Sequence, residues 1–127
     1  MAGTHGDFSP EARDRAHRTA AAADVYADHA EVIVAALAGV PAGHVLVAVV
    51  EADHRIGAMH AVGTAEIVTR VPQLEEGGRW AMVFSPGSSA DDVRRRSGQM
   101  ADIARQRVAA IDRITARRAG PDGSGSR

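Results

Sequence analysis

Four residues near the middle of the chain, Glu51, Asp53, His54 and His60, bring carboxylate and imidazole groups into one short stretch. Gathered by a tight turn they could ligate a divalent metal ion or move protons, because neutral imidazole and ionised carboxylate are common donors in such sites. Asp53, His54 and His60 are the ligands that a metal site here would use. The plainer account is a solvated turn followed by one histidine on the exposed face of a strand. No residue pattern fixes the geometry, and no outer partner that would orient the imidazoles is identifiable.

Two further groupings carry charge. Asp24, Asp28 and Glu31 stand at i, i+4 and i+7, so a helix would place three carboxylates on one face, with His17 two turns upstream. They could hold a divalent cation, remain solvated, or meet arginines of a neighbouring element, since adjacent acids repel unless compensated. Arg96, Arg107 and Arg118 are spaced by eleven residues, which on a helix returns nearly to the same line with steps of about 16 Å. Beside an apolar stripe such a row suits a protein interface, where the forked guanidinium pairs with carboxylates. The run Arg94-Arg95-Arg96 raises nucleic-acid binding, but Asp91, Asp92, Asp102 and Asp112 interrupt the basic face and aromatics are few. The chain has no Gly-rich phosphate loop, nucleophile elbow or paired-histidine metalloprotease motif. No catalytic residue, cofactor or resident metal is expected.

Composition sets the bounds within which these residues act. At 127 residues the chain has room for one core. Its formal net charge of -1 gives no general attraction to nucleic acid or anionic membrane. Every basic residue other than histidine is arginine; lysine, asparagine and cysteine are missing, which reads as a GC-rich coding bias. Without cysteine there are no disulfides, thiol nucleophiles or thiolate metal sites. Met1–Ser9 lacks an apolar signal-peptide core, and the longest apolar run, Val45–Val50, is too short to span a bilayer. Aqueous solution, as in the cytoplasm, is the expected setting. Aromatics are only Phe8, Tyr26, Trp80 and Phe84, leaving the core to alanine and branched aliphatics.

The elements that must position these groups follow from pattern. Ser9-Pro10-Glu11 joins an N-cap oxygen, a proline suited to the first helical position and an early acid, so a helix starts there. Ala12, Ala16, Thr19, Ala23, Tyr26, Ala30, Ile33 and Leu37 form its apolar stripe, which ends before Gly39 and Pro41. Ala16 and Ala23 belong to a small-residue seam that lets another backbone come close, and both are interface candidates with the acidic trio and the arginine row. Residues 44–52 are rich in β-branched side chains and read as a centrally placed strand. Residues 58–71 alternate as a half-exposed second strand, 72–78 form a loop, and 79–85 a third strand. Ser89-Ala90-Asp91-Asp92 is a capping box with aspartate as its acid, opening a helix to about Ala119. The expected organisation is an N-terminal arm at 1–8, a single α+β domain at 9–119 and a flexible Gly/Ser tail at 120–127. Within the domain a long helix, a three-stranded antiparallel meander and a second long helix give the order α-β-β-β-α.

At residues 9–64 the chain resembles the neck or tail-completion proteins that form rings between head and tail of long-tailed bacteriophages. The Ser-Pro-Glu-Ala-Arg-Asp-Arg-Ala-His-Arg-Thr-Ala-Ala-Ala-Ala stretch at 9–23 is similar to that family's arginine- and alanine-rich first helix. Val49-Val50-Glu51-Ala52-Asp53, followed by Val62-Gly63-Thr64, is similar to its central hairpin. The chain departs from the family at His54-Arg55-Ile56, where an aromatic is usual, and at Ala61, where an acid is usual. The helix at 90–118 has no counterpart. The resemblance implies a structural subunit of a virion neck or tail, partnered by copies of itself and other assembly proteins. The alternatives are a small metal- or His/Asp-dependent enzyme or ligand-binding protein using the 51–60 hairpin, and a nucleic-acid-associated protein using the arginine-rich helix.

Overall fold

The computed structural model describes residues 8–124. Residues 1–7 of the expected arm and 125–127 of the expected tail lie outside the described residues. Helix α1 spans Pro10–Asp28 and starts as its sequence dictates: the Ser9 hydroxyl accepts from the Ala12 N–H at 3.1 Å, with Pro10 inside the first turn. A second helix, α2 at Ala30–Leu37, follows after a break at His29. There the backbone turns to φ −109°, ψ 23°, and the ring Nδ1 reaches the Val25 carbonyl at 2.8 Å. The apolar stripe nevertheless runs through the break, since Ala16, Ala23, Tyr26, Ala30, Ile33 and Leu37 are all buried.

Strands β1 at His44–Val50, β2 at Ile56–Gly63 and β3 at Trp80–Phe84 form one antiparallel sheet. The α+β class and the placing of three strands between helical segments are as expected. The strand order is β2-β1-β3, so the sheet differs from a simple meander. β1 is central because it is the one strand apolar on both faces: every residue from Val45 to Val50 is buried. A strand of that kind needs neighbours on both edges and cover on both sides.

That need also explains the second difference. The strand expected over 58–71 stops at Gly63; the chain then makes a short 3-10 turn at Thr64–Glu66 and helix α3 at Ile67–Leu74. Ile67 and Val71, four residues apart, fit a helical spacing as well as an alternating one, and Leu74 continues the helical spacing alone. In the helix they fold back over Val45, Val47 and Val62, forming a small core on the far face of the sheet. As a strand the same residues would leave β1 uncovered there. A second 3-10 turn at Glu76–Gly78, with Gly77 at φ 78°, leads into β3.

The main core lies on the other face. Leu46, Ala48, Val50, Trp80 and Phe84 meet Tyr26, Ile33 and Leu37 of the first two helices and Val93 of α4, the helix spanning Ala90–Ser124. Its capping box is reciprocal: Ser89 N–H donates to Asp92 Oδ2 at 2.9 Å, and Asp92 N–H to Ser89 Oγ at 3.0 Å. The most extensive contact between any two elements is that of α1 with α4. Ala16, Ala20 and Ala23 face it from α1, and Ala101, Ala104 and Ser97 are its small buried residues on α4. Ser97 is accommodated because its hydroxyl donates to the Val93 carbonyl at 2.7 Å. At the centre the Tyr26 hydroxyl donates to the Ala48 carbonyl at 2.8 Å, and burial, with Glu75 as a second contributor, pushes its pKa up.

Candidate functional site

Two concave regions carry functional groups. The first lies where the turn between β1 and β2 meets the α1–α2 break, a cleft of about 530 Å³ lined by Val25, Asp28, His29, Glu51, His54 and Arg55 with Ile56. The turn is tight, with the His54 N–H donating to the Glu51 carbonyl and the Glu51 N–H to the Arg55 carbonyl, both at 2.8 Å. It forces His54 to φ 64°, a left-handed conformation uncommon for a residue with a Cβ. What holds it there is the ring: it stacks on Trp80 with centroids 5.3 Å apart, and Nε2–H donates to the Arg18 carbonyl at 3.1 Å. The Glu51 side chain runs close to the β2 backbone, since a Cβ added at Gly57 would lie 2.5 Å from its Oε2, the far end of a flexible side chain. Gly57 falls where β2 takes an extra residue against β1, between the Ala48–Met59 and Val50–Ile56 pairs.

Of the hairpin residues singled out from sequence, the structure brings His54 and Glu51 to this cleft and separates the others. His60 pairs across the sheet with Val47, whose side chain belongs to the α3 face, whereas Trp80 and the stacked His54 belong to the opposite face. Asp53 is exposed and pairs with Arg55 at 3.1 Å. Among the described residues no group of three or more histidine and acidic side chains is placed to hold a metal ion. His29, the second imidazole of the cleft, was not signalled by the sequence; its position one residue past an acidic helix face carries no motif.

The second region is a groove of about 650 Å³ between α1 and α4. Glu11, Arg15 and Thr19 stand on one wall with Ala12 and Ala16; Met100, Ile103, Ala104 and Arg107 form the other. Its floor is apolar and its rim carries both signs of charge. Trp80 supports it from below, donating from Nε1 to the Thr19 hydroxyl at 3.1 Å while the Arg15 guanidinium lies 4.3 Å over its ring. Ile103 is 67% exposed. Among the described residues Val32 and Val68 are the other large apolar side chains left open, on α2 and α3.

The expected acid–arginine pairing forms, with different arginines. Glu31 pairs with Arg94, and Asp24 with Arg105 at 3.6 Å. Those two arginines are also eleven residues apart, two positions before the Arg96 and Arg107 of the expected row. The phase of α4 is set by its buried Val93, Ser97, Ala104, Val108 and Ile111, and that phase turns Arg94 and Arg105 towards the acids. Asp28 lines the hairpin cleft instead. Arg96 lies over Phe84, 5.0 Å from the ring centroid, and donates to the Val83 carbonyl. Arg107 lines the groove, and Arg118 is exposed near the far end of α4. Ala16 and Ala23 are buried inside the chain, so the close approach they permit is that of α4 to α1. Between α1 and α4 an ion pair that the sequence reading did not name joins the two helices: Arg13 donates to both carboxylate oxygens of Asp112, at 2.5 and 3.1 Å, and holds that carboxyl below its usual pKa.

Comparison with protein-family models, with curated proteins and with solved structures finds no match to this chain. Among the described residues no helix is long and apolar enough to cross a membrane.

Proposed function

We propose that the chain is a non-enzymatic assembly subunit that works by packing against other protein chains, copies of itself included. The observation that carries this reading is the α1/α4 groove: an apolar floor with Ile103 largely in water, framed by Glu11, Arg15 and Arg107. An open apolar strip inside a mixed-charge rim is the composition of a protein-binding surface. The hairpin cleft supports the reading from the other side, because its imidazoles are spent on fold contacts: His54 on Trp80 and the Arg18 carbonyl, His29 on the Val25 carbonyl. The neck or tail-completion setting belongs to the same proposal. Its two similar stretches fall on α1 and on the β1–β2 hairpin, the elements that build one wall of the groove and the adjoining cleft.

Native mass spectrometry with and without a chelator, alongside sedimentation velocity, tests it. The expected result is a metal-free oligomer of defined size, unchanged by the chelator. A strictly monomeric chain at about 100 µM would overturn self-assembly, and stoichiometric bound metal would redirect the function to the hairpin residues.

A further inference from the structure

The two edges of the sheet are finished differently. In an antiparallel ladder the N–H and C=O of one residue point to the same side, and that side alternates from residue to residue. The Thr64 N–H donates to the Gly43 carbonyl at 3.0 Å, which sets the phase of the β1–β2 ladder. Val62 and His60 therefore turn their backbone groups towards β1, and Met59, Ala61 and Gly63 turn theirs away from it. The same phase carried across β1 turns Val83 of β3 outward, and there the Arg96 guanidinium donates to the Val83 carbonyl. The β3 edge is thus capped by a charged side chain. Among the described residues the β2 edge has β1 as its one strand neighbour, and from Ile56 to Gly63 it holds no arginine, no acid and no proline. Those are the residues with which sheet proteins close an edge. What such an edge lacks is specific, because alternate N–H and C=O groups along an extended backbone are matched by another strand.

Resting on the assembly reading above, we infer that β2 pairs antiparallel with β2 of a second copy about a two-fold axis at Ala61, joining two sheets into one. The register follows from the residues that face outward. Met59, Ala61 and Gly63 are symmetric about Ala61, so Met59 meets Gly63 of the second copy, Ala61 meets Ala61, and the outward N–H and C=O groups of all three are paired. Centring on His60 would instead set imidazole on imidazole and bring Gly63 opposite Gly57, inside the bulge where the ladder is irregular. A register displaced by one residue would face outward groups with residues whose own groups point to β1. Side-chain volume agrees with the choice. Met59 faces a glycine, the central pair is two exposed alanines, and on the other side of the sheet His60 lies opposite Val62. Without arginine or acid on the strand, identical edges meet without like-charge repulsion, and a closed two-fold contact covers both at once.

At a hydrogen-bonded antiparallel pair the two Cα atoms lie about 5.5 Å apart, a separation that a disulfide spans. The chain contains no cysteine, so a single introduced thiol reports on this contact alone. Under mild oxidation Ala61→Cys should form a disulfide dimer. Ala58→Cys, also exposed on β2, should stay monomeric, because the two copies of residue 58 would lie about 20 Å apart along the paired strands. Ala61→Arg and Ala61→Glu should each weaken self-association by about tenfold or more in sedimentation equilibrium. An equimolar mixture of the two should recover it, since the axis then brings opposite charges together. Neither substitution should change the melting temperature, because Ala61 is exposed in the single chain. A wild-type chain that associates while Ala61→Cys gives no more disulfide dimer than Ala58→Cys would overturn this contact and leave the assembly reading standing. A wild-type chain that stays monomeric would overturn both.

Discussion

The hairpin cleft and the α1/α4 groove hold comparable volumes but use their side chains in opposite ways. In the cleft the imidazoles are consumed by structure: a strained His54 is pinned between Trp80 and a helix carbonyl, and the His29 ring reaches back to the Val25 carbonyl. In the groove the polar groups sit at the rim, the floor is apolar, and Ile103 gains little from its own chain. Residue type alone therefore points to the region whose imidazoles are already engaged by the fold. Histidine and acid near a turn suggest a reactive site, but a side chain whose hydrogen bonds and stacking partners are already filled has little left to offer a ligand. The surface with unspent burial is the alanine- and isoleucine-lined one.

Both regions rest on a single indole, so the sharpest way to break the comparison is to remove it. Trp80→Ala strips His54 of its stack and the groove of its support under Thr19 and Arg15 together. The expected loss is about 3–5 kcal/mol in chemical denaturation followed by circular dichroism, as for other buried tryptophans. A loss under about 1 kcal/mol would mean that cleft and groove are held independently. A smaller effect is expected at the α1–α4 seam, where Ala23 is buried at 1% exposure. Ala23→Leu should cost about 1–3 kcal/mol through overpacking, and should widen the groove enough to weaken oligomers in sedimentation. Unchanged melts would show that α4 can shift away from α1 without penalty.

The smallest effect concerns acid. The Ser89 N–H first, then Arg95, lowers the pKa of Asp92, and Arg13 lowers that of Asp112, each from 3.8. Folded values below the unfolded ones mean that both carboxylates contribute stability above about pH 4. That contribution is lost as pH falls through the depressed values. Melting temperatures should decline below about pH 4, and Asp112→Asn should show a shallower decline than the wild type. Both pairs are solvent-exposed, so at neutral pH the same substitution should shift stability only slightly.

Much of the fold was legible because it is written locally. Ser9-Pro10 and Ser89 to Asp92 start helices through contacts spanning three residues, so no distant partner is needed to identify them. The break at His29 was hidden, since a ring that reaches back to Val25 leaves no mark on the apolar stripe. The second strand was read too long because Ile67 and Val71, four residues apart, suit either period. Only the bare far face of β1 makes the helix the better answer.

The sequence by itself determined where two helices begin, which residues of the first face inward, and that a strand within residues 44–52 lies at the centre of a sheet. It determined as well that thiol chemistry is absent. Tertiary structure decided which partners meet. His54 and His60 are six residues apart and lie on opposite sides of the sheet, because strand geometry and a left-handed turn set their directions. Arg94 and Arg105, not Arg96 and Arg107, reach Glu31 and Asp24, because the buried row of α4 sets its rotation against α1 and α2. Helical spacing tells which side chains share a line along one element. Which line faces a neighbour depends on how two elements bury their apolar rows against each other, and that is a property of the packed pair.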